Sequence, residues 1–432
     1  MTKPLHRVVI VGGGFGGLLA AKELRSAPVE VTLLDRRNHH VFQPLLYQVA
    51  TGGLSPANIA APLRAVLHKQ RNARVLLANV IGFDTAKKDV HTNWGAYPYD
   101  TLIVAAGMQN AYFGKDHWAV HAPGLKTLED ATAIRRKVLS AFERAEASMD
   151  PQERLACLTF VIIGGGPTGV EMAGAIGELA HHTLRKNFRS INPASARVIL
   201  VEAGARILPA YSEKLSRKAV RALERLGVVV RSNTKVTDIA THAVTLSQGE
   251  QTEKLSAATI LWTAGVQASP LGKALAAATG AEVDRQGRII VESDLSVKGH
   301  SEIFVIGDLA HFGHQDGKPL PGVAPVAMQQ GRYVAQVLLS RLQGGTPGPF
   351  RYRDKGSMAT IGRGAAIADL HWAELSGYPA WLAWLFIHLM YIVGFENRLL
   401  VFFQWAWSYI TRNRTARLIT HEAPTDIHAK ME

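Results

Sequence analysis

The sequence predicts an α/β chain in which one strand–turn–helix unit occurs twice, followed by a separate helical region. Three observations carry this. Near the start, an apolar β-branched run at 8–11 is followed by G-x-G-x-x-G at Gly12, Gly14 and Gly17, then by an apolar helix at 18–24. The same series returns with Gly164, Gly166 and Gly169, 152 residues on. Beyond a Gly/Pro-rich stretch at 344–349 the composition shifts, and five of the eight tryptophans follow it.

The residues at 8–11 read as a buried parallel strand. Strand, glycine turn and helix together are the context a dinucleotide fingerprint needs. The first glycine allows the tight turn, the second lets a pyrophosphate approach the backbone, and the third lets helix and strand pack closely. The phosphates then meet unpaired N–H groups at the helix N-terminus. Phe15 and Gly16 lie inside the turn and belong to the same binding set. A second strand at 29–34 ends on Asp35, 23 residues past Gly12, where a ribose-binding carboxylate belongs. The segment 36–52 is apolar and aromatic without clean periodicity and reads as a cover over a ligand. Residues 64–70 read as a surface helix, and 74–80, 84–92 and 101–104 as strands. Ala106 and Gly107 close the last of these, leaving backbone bare for a flat ring system.

Residues 128–147 have helical spacing with dispersed charge and read as a solvated helix. The second fingerprint follows the strand 160–163. Its second strand, 197–201, ends on Glu202, and an extended basic helix and loop at 181–196 explains the long offset. A carboxylate there accepts from a ribose 2′-hydroxyl and repels a 2′-phosphate. Arg206, four residues on, tempers that exclusion. Residues 215–226 read as an amphipathic helix capped by Gly227, and 228–231, 235–239, 243–246 and 259–263 as strands. Gly265 echoes Gly107. The strand at 303–308 ends on Asp308, an acid placed to bind the hydroxyls of a ribityl chain. Pro325 suits a helix start, and 327–342 continues it. Gln329 and Gln330 place two neutral donors in an otherwise apolar first turn.

Residues 381–393 and 399–410 are apolar nearly all round. At ~1.5 Å per residue neither spans ~30 Å of hydrocarbon. Arg398, Arg412, Arg414 and Arg417 accompany them with no acid between Asn397 and His421. Aromatics and arginines beside short apolar helices fit an in-plane membrane anchor, with the arginines at anionic headgroups. A dimer interface is the alternative for this block.

Composition narrows the class. The chain has 432 residues, 47% hydrophobic and 19% charged, which fits a globular protein. The formal charge of +13 suits anionic lipid, nucleic acid or acidic ligands. Nucleic acid is not expected, because the charge is spread and no recognition motif appears. The lone cysteine, Cys157, excludes a disulfide framework and paired redox thiols. No metal site is expected. Residues 2–7 lead straight into the first strand with no signal-peptide apolar region, so a cytoplasmic compartment is expected.

Two dinucleotide sites in one chain point to a flavin that takes electrons from a nicotinamide. On four segments the sequence resembles the type II NADH:quinone oxidoreductases, single-chain, non-pumping respiratory enzymes. These are Phe42-Gln43-Pro44-Leu45-Leu46-Tyr47-Gln48-Val49-Ala50, Gly164-Gly165-Gly166-Pro167-Thr168-Gly169-Val170-Glu171, Ala327-Met328-Gln329-Gln330-Gly331, and Asp354-Lys355-Gly356-Ser357-Met358-Ala359-Thr360-Ile361-Gly362. The resemblance implies non-covalent FAD on the first fingerprint with Asp35 and Asp308, and NADH on the second with Glu202. It implies Glu171 at the nicotinamide–flavin junction and Gln329, with Gln330 and Gln48, at the quinone, either ubiquinone or menaquinone. The family motif often has a glutamine four residues before Gln329, where this chain has Pro325. The implied domains are 1–125 with 290–345 for FAD, 126–289 for NADH, and 346–432 for membrane association. A homodimer, peripheral on the cytoplasmic face of the inner membrane, is expected. The alternative function is a soluble NAD(P)H-dependent ferredoxin or flavoprotein reductase, which the carboxy-terminal block does not fit.

Overall fold

In the computed structural model, residues 4–411, 414 and 416–420 are described, without the side chain of Phe395. The chain divides into two compact units. The first comprises 1–42, 60–111 and 265–355, and the second 43–59, 112–264 and 356–432. Segment 346–355 thus stays with the first unit, while the short helix Leu46–Ala50 and the apolar carboxy-terminal helices belong to the second.

The first unit is built on a six-stranded sheet. Its order is Ser296–Val297, His300–Val305, Thr101–Val104, His6–Val11, Val29–Asp35, Ala73–Leu77. His6–Val11 is parallel to both neighbours, with Val8 beside Val31 on one side and Thr101 on the other. It is fully buried from Val8 to Val11, as the unbroken β-branched run requires. The helices Phe15–Glu23 and Ala324–Leu342 cross at glycines. A Cβ on Gly331 would lie 2.3 Å from the Gly16 carbonyl oxygen, so the backbones touch.

The second unit repeats the plan with four parallel strands, ordered Val228–Arg231, Arg197–Val201, Thr159–Ile163, Thr259–Trp262. Again the strand before the glycine turn is central, so the turn opens where the connections diverge to the two sides, the usual ligand crevice of such sheets. Each unit also carries a three-stranded antiparallel sheet, at 80–98 in the first and 235–256 in the second. The strand Gln251–Ser256 was not legible in its polar sequence. The expected single strand at 84–92 is two strands, Val80–Asp84 and Asp89–Thr92, joined by a turn in which Lys88 has φ 57°.

The helix Leu128–Ala147 starts in a capping box between Thr127 and Asp130. It is not solvated all round, because Ala131, Ile134, Val138 and Phe142 form a buried stripe. No long basic helix follows position 181. The helix Pro167–Glu178 runs on into a π-turn, Leu179–Thr183, and ends in irregular chain.

In the second unit a carboxy-terminal sheet of Ser357–Gly362, Ala365–Asp369 and Glu374–Gly377 leads into two helices, Tyr378–Tyr391 and Phe395–Thr411. Among the described residues no helix is long and apolar enough to cross a membrane. Gly174 joins this sheet to the fingerprint helix. A Cβ there would lie 1.7 Å from the Ile361 carbonyl oxygen. Gly174→Ala is therefore expected to cost about 1–3 kcal/mol through overpacking. Gly82→Ala, where a Cβ meets nothing within 4 Å, is expected to cost much less. Thermal unfolding of the two variants checks this, and equal melting temperatures would contradict it.

Candidate active site

The two glycine turns are near copies. In the first, the Gly12 N–H donates to the Leu34 carbonyl at 2.8 Å; in the second, Gly164 donates to Val201 at 2.8 Å. Gly12 has φ +103° and a Cβ there would lie 2.4 Å from the Ala105 carbonyl oxygen. Gly164 has φ +110°, and a Cβ there would lie 2.7 Å from the Ala264 nitrogen and 2.8 Å from the Thr263 carbonyl carbon. A Cβ on Gly17 would meet the Gly12 oxygen at 1.9 Å, and one on Gly169 the Gly164 oxygen at 1.9 Å. The middle glycines differ. At Gly14 and Gly166 a Cβ meets nothing within 4 Å. The fold does not need them bare, whereas a pyrophosphate lying on the backbone does. Both are helix N-caps without a side-chain acceptor, and neither helix has an acid in its first turn. Two helix N-termini are thus left with unsatisfied N–H groups, the natural place for phosphate.

The paired acids are also copies. Asp35 accepts from the Gly13 N–H at 2.6 Å and the Arg37 N–H at 2.7 Å. Glu202 accepts from the Gly165 N–H at 2.6 Å and the Gly204 N–H at 2.6 Å. Each carboxylate is half-buried, fixed by its own loop, and retains lone pairs for a ribose. Arg206 does not compete for phosphate. Its guanidinium donates to the Tyr211 carbonyl at 2.7 Å and the Pro209 carbonyl at 2.9 Å, closing its own loop. Phe15 packs edge-on against His40 and Phe42. Ala106 and Gly107 are half-buried at the end of Thr101–Val104, Gly107 with φ +67°. Gly265, with φ +83°, lies in the first unit, where its carbonyl accepts from the Ala111 N–H. Asp308 is half-buried against Gly322, in the turn that begins at Gly307. These features fit an FAD on the first turn and a nicotinamide dinucleotide on the second.

The glutamines divide differently from their reading in the sequence. Gln330 is 1% exposed, and its side-chain oxygen accepts from the Gly307 N–H at 2.6 Å. It is a clamp on the turn that carries Asp308. Gln329 donates to the Arg353 carbonyl at 2.9 Å and accepts from the Arg353 N–H at 3.0 Å. Both ends of its amide hold backbone. Gln48 lies in the second unit, where it donates to the Tyr47 hydroxyl and accepts from the Trp405 indole N–H, each at 2.8 Å.

Gln48 lines a cavity of about 250 Å³ in the second unit; neither Gln329 nor Gln330 does. The fingerprint helix contributes Glu171, Ala175 and Glu178, and the apolar helices contribute Trp381, Trp384, Leu385, Trp405, Ser408 and Tyr409. The Trp384 indole N–H has no partner among the described residues. Glu171 is exposed only in part, into this space, and the Thr360 backbone N–H donates to it. Burial away from bulk water pushes its carboxyl up to about 8, against the smaller opposing pull of that hydrogen bond. At neutral pH it is a protonated acid. Burial, then the nearby Glu171, raises the Tyr47 phenol well above its usual range, so it stays neutral.

Arg414 lines the same cavity. It pairs with Glu178 at 2.9 Å, donates to the Thr51 carbonyl at 3.1 Å, and has an 11% exposed side chain. Arg417 donates to the Arg414 carbonyl, and Arg398 to that of Ile392, each at 2.8 Å. Arg414 is thus turned inward onto Glu178, whereas Arg398 and Arg417 are half-buried and each commit one donor to a backbone carbonyl; Arg412 lies outside the described residues. Glu178, Arg414 and Trp384 are site residues the sequence reading did not assign to this chemistry. Only the placing of Glu178 seven residues after Glu171, on one helix face, signals it.

Comparisons with known proteins agree with this geometry. The family model for pyridine nucleotide-disulphide oxidoreductases matches residues 6–331, and that for the NDH2 C-terminal domain matches residues 355–413. The type II NADH:quinone oxidoreductase Ndh of Mycobacterium tuberculosis is 46% identical over 425 residues, 96% of this chain and 91% of that protein. A second enzyme of that organism, NdhA, is 47% identical over 96% of this chain and 90% of its own length. Among solved structures, NDH2 from Plasmodium falciparum in complex with NADH superposes with a TM-score of 0.85, covering 94% of this chain and 98% of that one at 20% identity. That likeness is one of fold. With both family models matched in order and relatives at 46% and 47% identity over nearly its whole length, the chain belongs to the type II NADH:quinone oxidoreductase family.

Proposed function

We propose that the chain carries two electrons from NADH through FAD to a membrane quinone, without pumping protons, from a peripheral seat on the cytoplasmic face of the plasma membrane. The observation that carries this reading is the cavity that Glu171 and the two apolar helices share. A soluble electron carrier leaves those helices without a purpose.

Asp35 holds the FAD adenosine ribose, the first-turn N–H groups after Gly14 its pyrophosphate, and Asp308 its ribityl chain. Glu202 holds the NADH ribose, and the N–H groups after Gly166 its pyrophosphate. FAD, when bound, supplies the two-electron chemistry that joins a hydride donor to a quinone. Glu171 supplies a proton. A neutral carboxyl in this cavity donates to a quinone oxygen as negative charge develops there. The Trp384 indole N–H, which has no partner among the described residues, offers a further uncharged donor. Gln329 and Gln330 keep their backbone bonds and act by holding 353 and 307 in place. Steady-state NADH oxidation with a quinone and with a ferredoxin tests the reading. Quinone should support turnover and ferredoxin should not.

Glu202→Gln should narrow the preference for NADH over NADPH, because it removes a charge that repels the 2′-phosphate and Arg206 is already engaged. Comparing kcat/KM for both nucleotides checks this. A wild type indifferent to the phosphate would overturn it.

The wild-type quinone step should fall away as pH rises through about 8, since the protonated form of Glu171 is present below that pH and lost above it. Glu171→Gln should be slow throughout and lack that limb, while still binding FAD. A pH–rate profile in Glu171→Gln that matches the wild type would remove Glu171 from the proton path.

The outer faces of the apolar helices carry Phe386 at 64% exposure and Phe403 at 65%. Inserting one such side chain contributes about 2 kcal/mol. Replacing both with aspartate should therefore release the protein from vesicles while leaving reduction of short soluble quinones intact. Retention on vesicles would mean that these faces do not insert.

A further inference from the structure

Resting on the membrane reading above, we propose that the helix Glu213–Glu224 of the nucleotide-binding fold is an anionic-headgroup contact, its basic stripe adding surface charge that the inward-turned Arg414 does not supply. Arg398, Arg414 and Arg417 all donate to backbone carbonyls, and Arg414 is also paired with Glu178. A peripheral enzyme with exposed apolar helices still gains from cations at the level of the lipid phosphates.

Those cations stand on the neighbouring helix. At ~100° per residue, Lys214, Lys218, Arg221 and Arg225 fall within an arc of about 60°. All four are exposed. Leu215, Ala219, Ala222 and Leu223 form the opposite, buried side. Acids neutralise only one end of the stripe. Glu213, Arg217 and Glu224 occupy the adjacent arc, where Glu213 and Arg217 pair with each other. Lys214 approaches Glu374 only at 3.9 Å. Arg221 and Arg225 make no ion pair among the described residues.

The stripe is continuous with the apolar face. The Lys218 ammonium donates to the Ser376 hydroxyl at 2.7 Å, and Ser376 lies two residues before the helix Tyr378–Tyr391 begins. Trp372, in the preceding turn, is 83% exposed. At the other end, Arg225 precedes Leu226, which lines the cavity. Cations therefore run along the border from the root of the first apolar helix towards the cavity wall. The chemistry that fits a row of exposed ammonium and guanidinium groups beside an insertable apolar face is a lipid phosphate.

The test uses the full-length flavoprotein and the double variant Arg221→Gln/Arg225→Gln. Binding is measured by co-sedimentation with phosphatidylcholine vesicles and with equimolar phosphatidylcholine–phosphatidylglycerol vesicles. At the usual strength of a surface cation near anionic lipid, roughly fivefold each, the double variant should bind the phosphatidylglycerol vesicles about thirtyfold more weakly. Binding to neutral vesicles, flavin content and reduction of a short soluble quinone should not change. Arg217→Gln, on the adjacent arc, should weaken binding much less. An unaltered affinity of the double variant for phosphatidylglycerol vesicles would overturn the stripe, as would an equal loss per charge in Arg217→Gln, which would mark a net-charge effect. If wild-type protein binds neither vesicle, the membrane reading itself fails, a result separable from failure of the stripe.

Discussion

Each half of this molecule depends on one short hydrogen bond. The carboxylate at the end of the second strand accepts from the N–H inside the glycine turn, Asp35 from Gly13 and Glu202 from Gly165, both at 2.6 Å. That bond fixes the turn, and the turn aims the following helix. Around it, the outer glycines have no room for a side chain, while the middle glycine faces open space. The outcome is a helix N-terminus with free donors beside a carboxylate held in place by its own loop. Neither element makes such a site alone.

The second unit adds a partly enclosed cavity to this frame. Helix Tyr378–Tyr391 is apolar on every side, which a surface helix of a water-soluble domain normally is not. Its two sides have different work. Trp384 is 2% exposed and lines the cavity, whereas Phe386 on the same helix is 64% exposed. Burial on the cavity side removes Glu171 from bulk water and favours its protonated form. Apolar side chains on the outer side offer a surface to lipid. In the proposed function one composition serves both acid–base chemistry and attachment.

Much of this was legible in the residues. Both glycine turns, Asp35 and Glu202 follow from spacing, because backbone geometry dictates them locally. The quinone glutamines were harder, because an amide serves a ligand or a backbone equally well. Gln330 and Gln329 are committed to Gly307 and Arg353 by contacts distant in sequence. Arg414 reads differently once folded for a similar reason. A basic run beside apolar helices resembles a headgroup contact, yet Glu178, 236 residues before Arg414, takes its charge inward. The stripe on Glu213–Glu224 was readable as amphipathic, but its neighbour Ser376 was not, since only tertiary folding joins them.

The central claim is that the two like turns hold different dinucleotides, flavin on the first and NADH on the second. Gly166→Val tests it most directly, because the fold leaves space at that position and a bound pyrophosphate does not. The measurement is the flavin absorbance of the purified variant before and after anaerobic addition of NADH. The account predicts a normal yellow flavoprotein that NADH no longer bleaches. A variant that loses its flavin, or one still bleached as fast as the wild type, would contradict it.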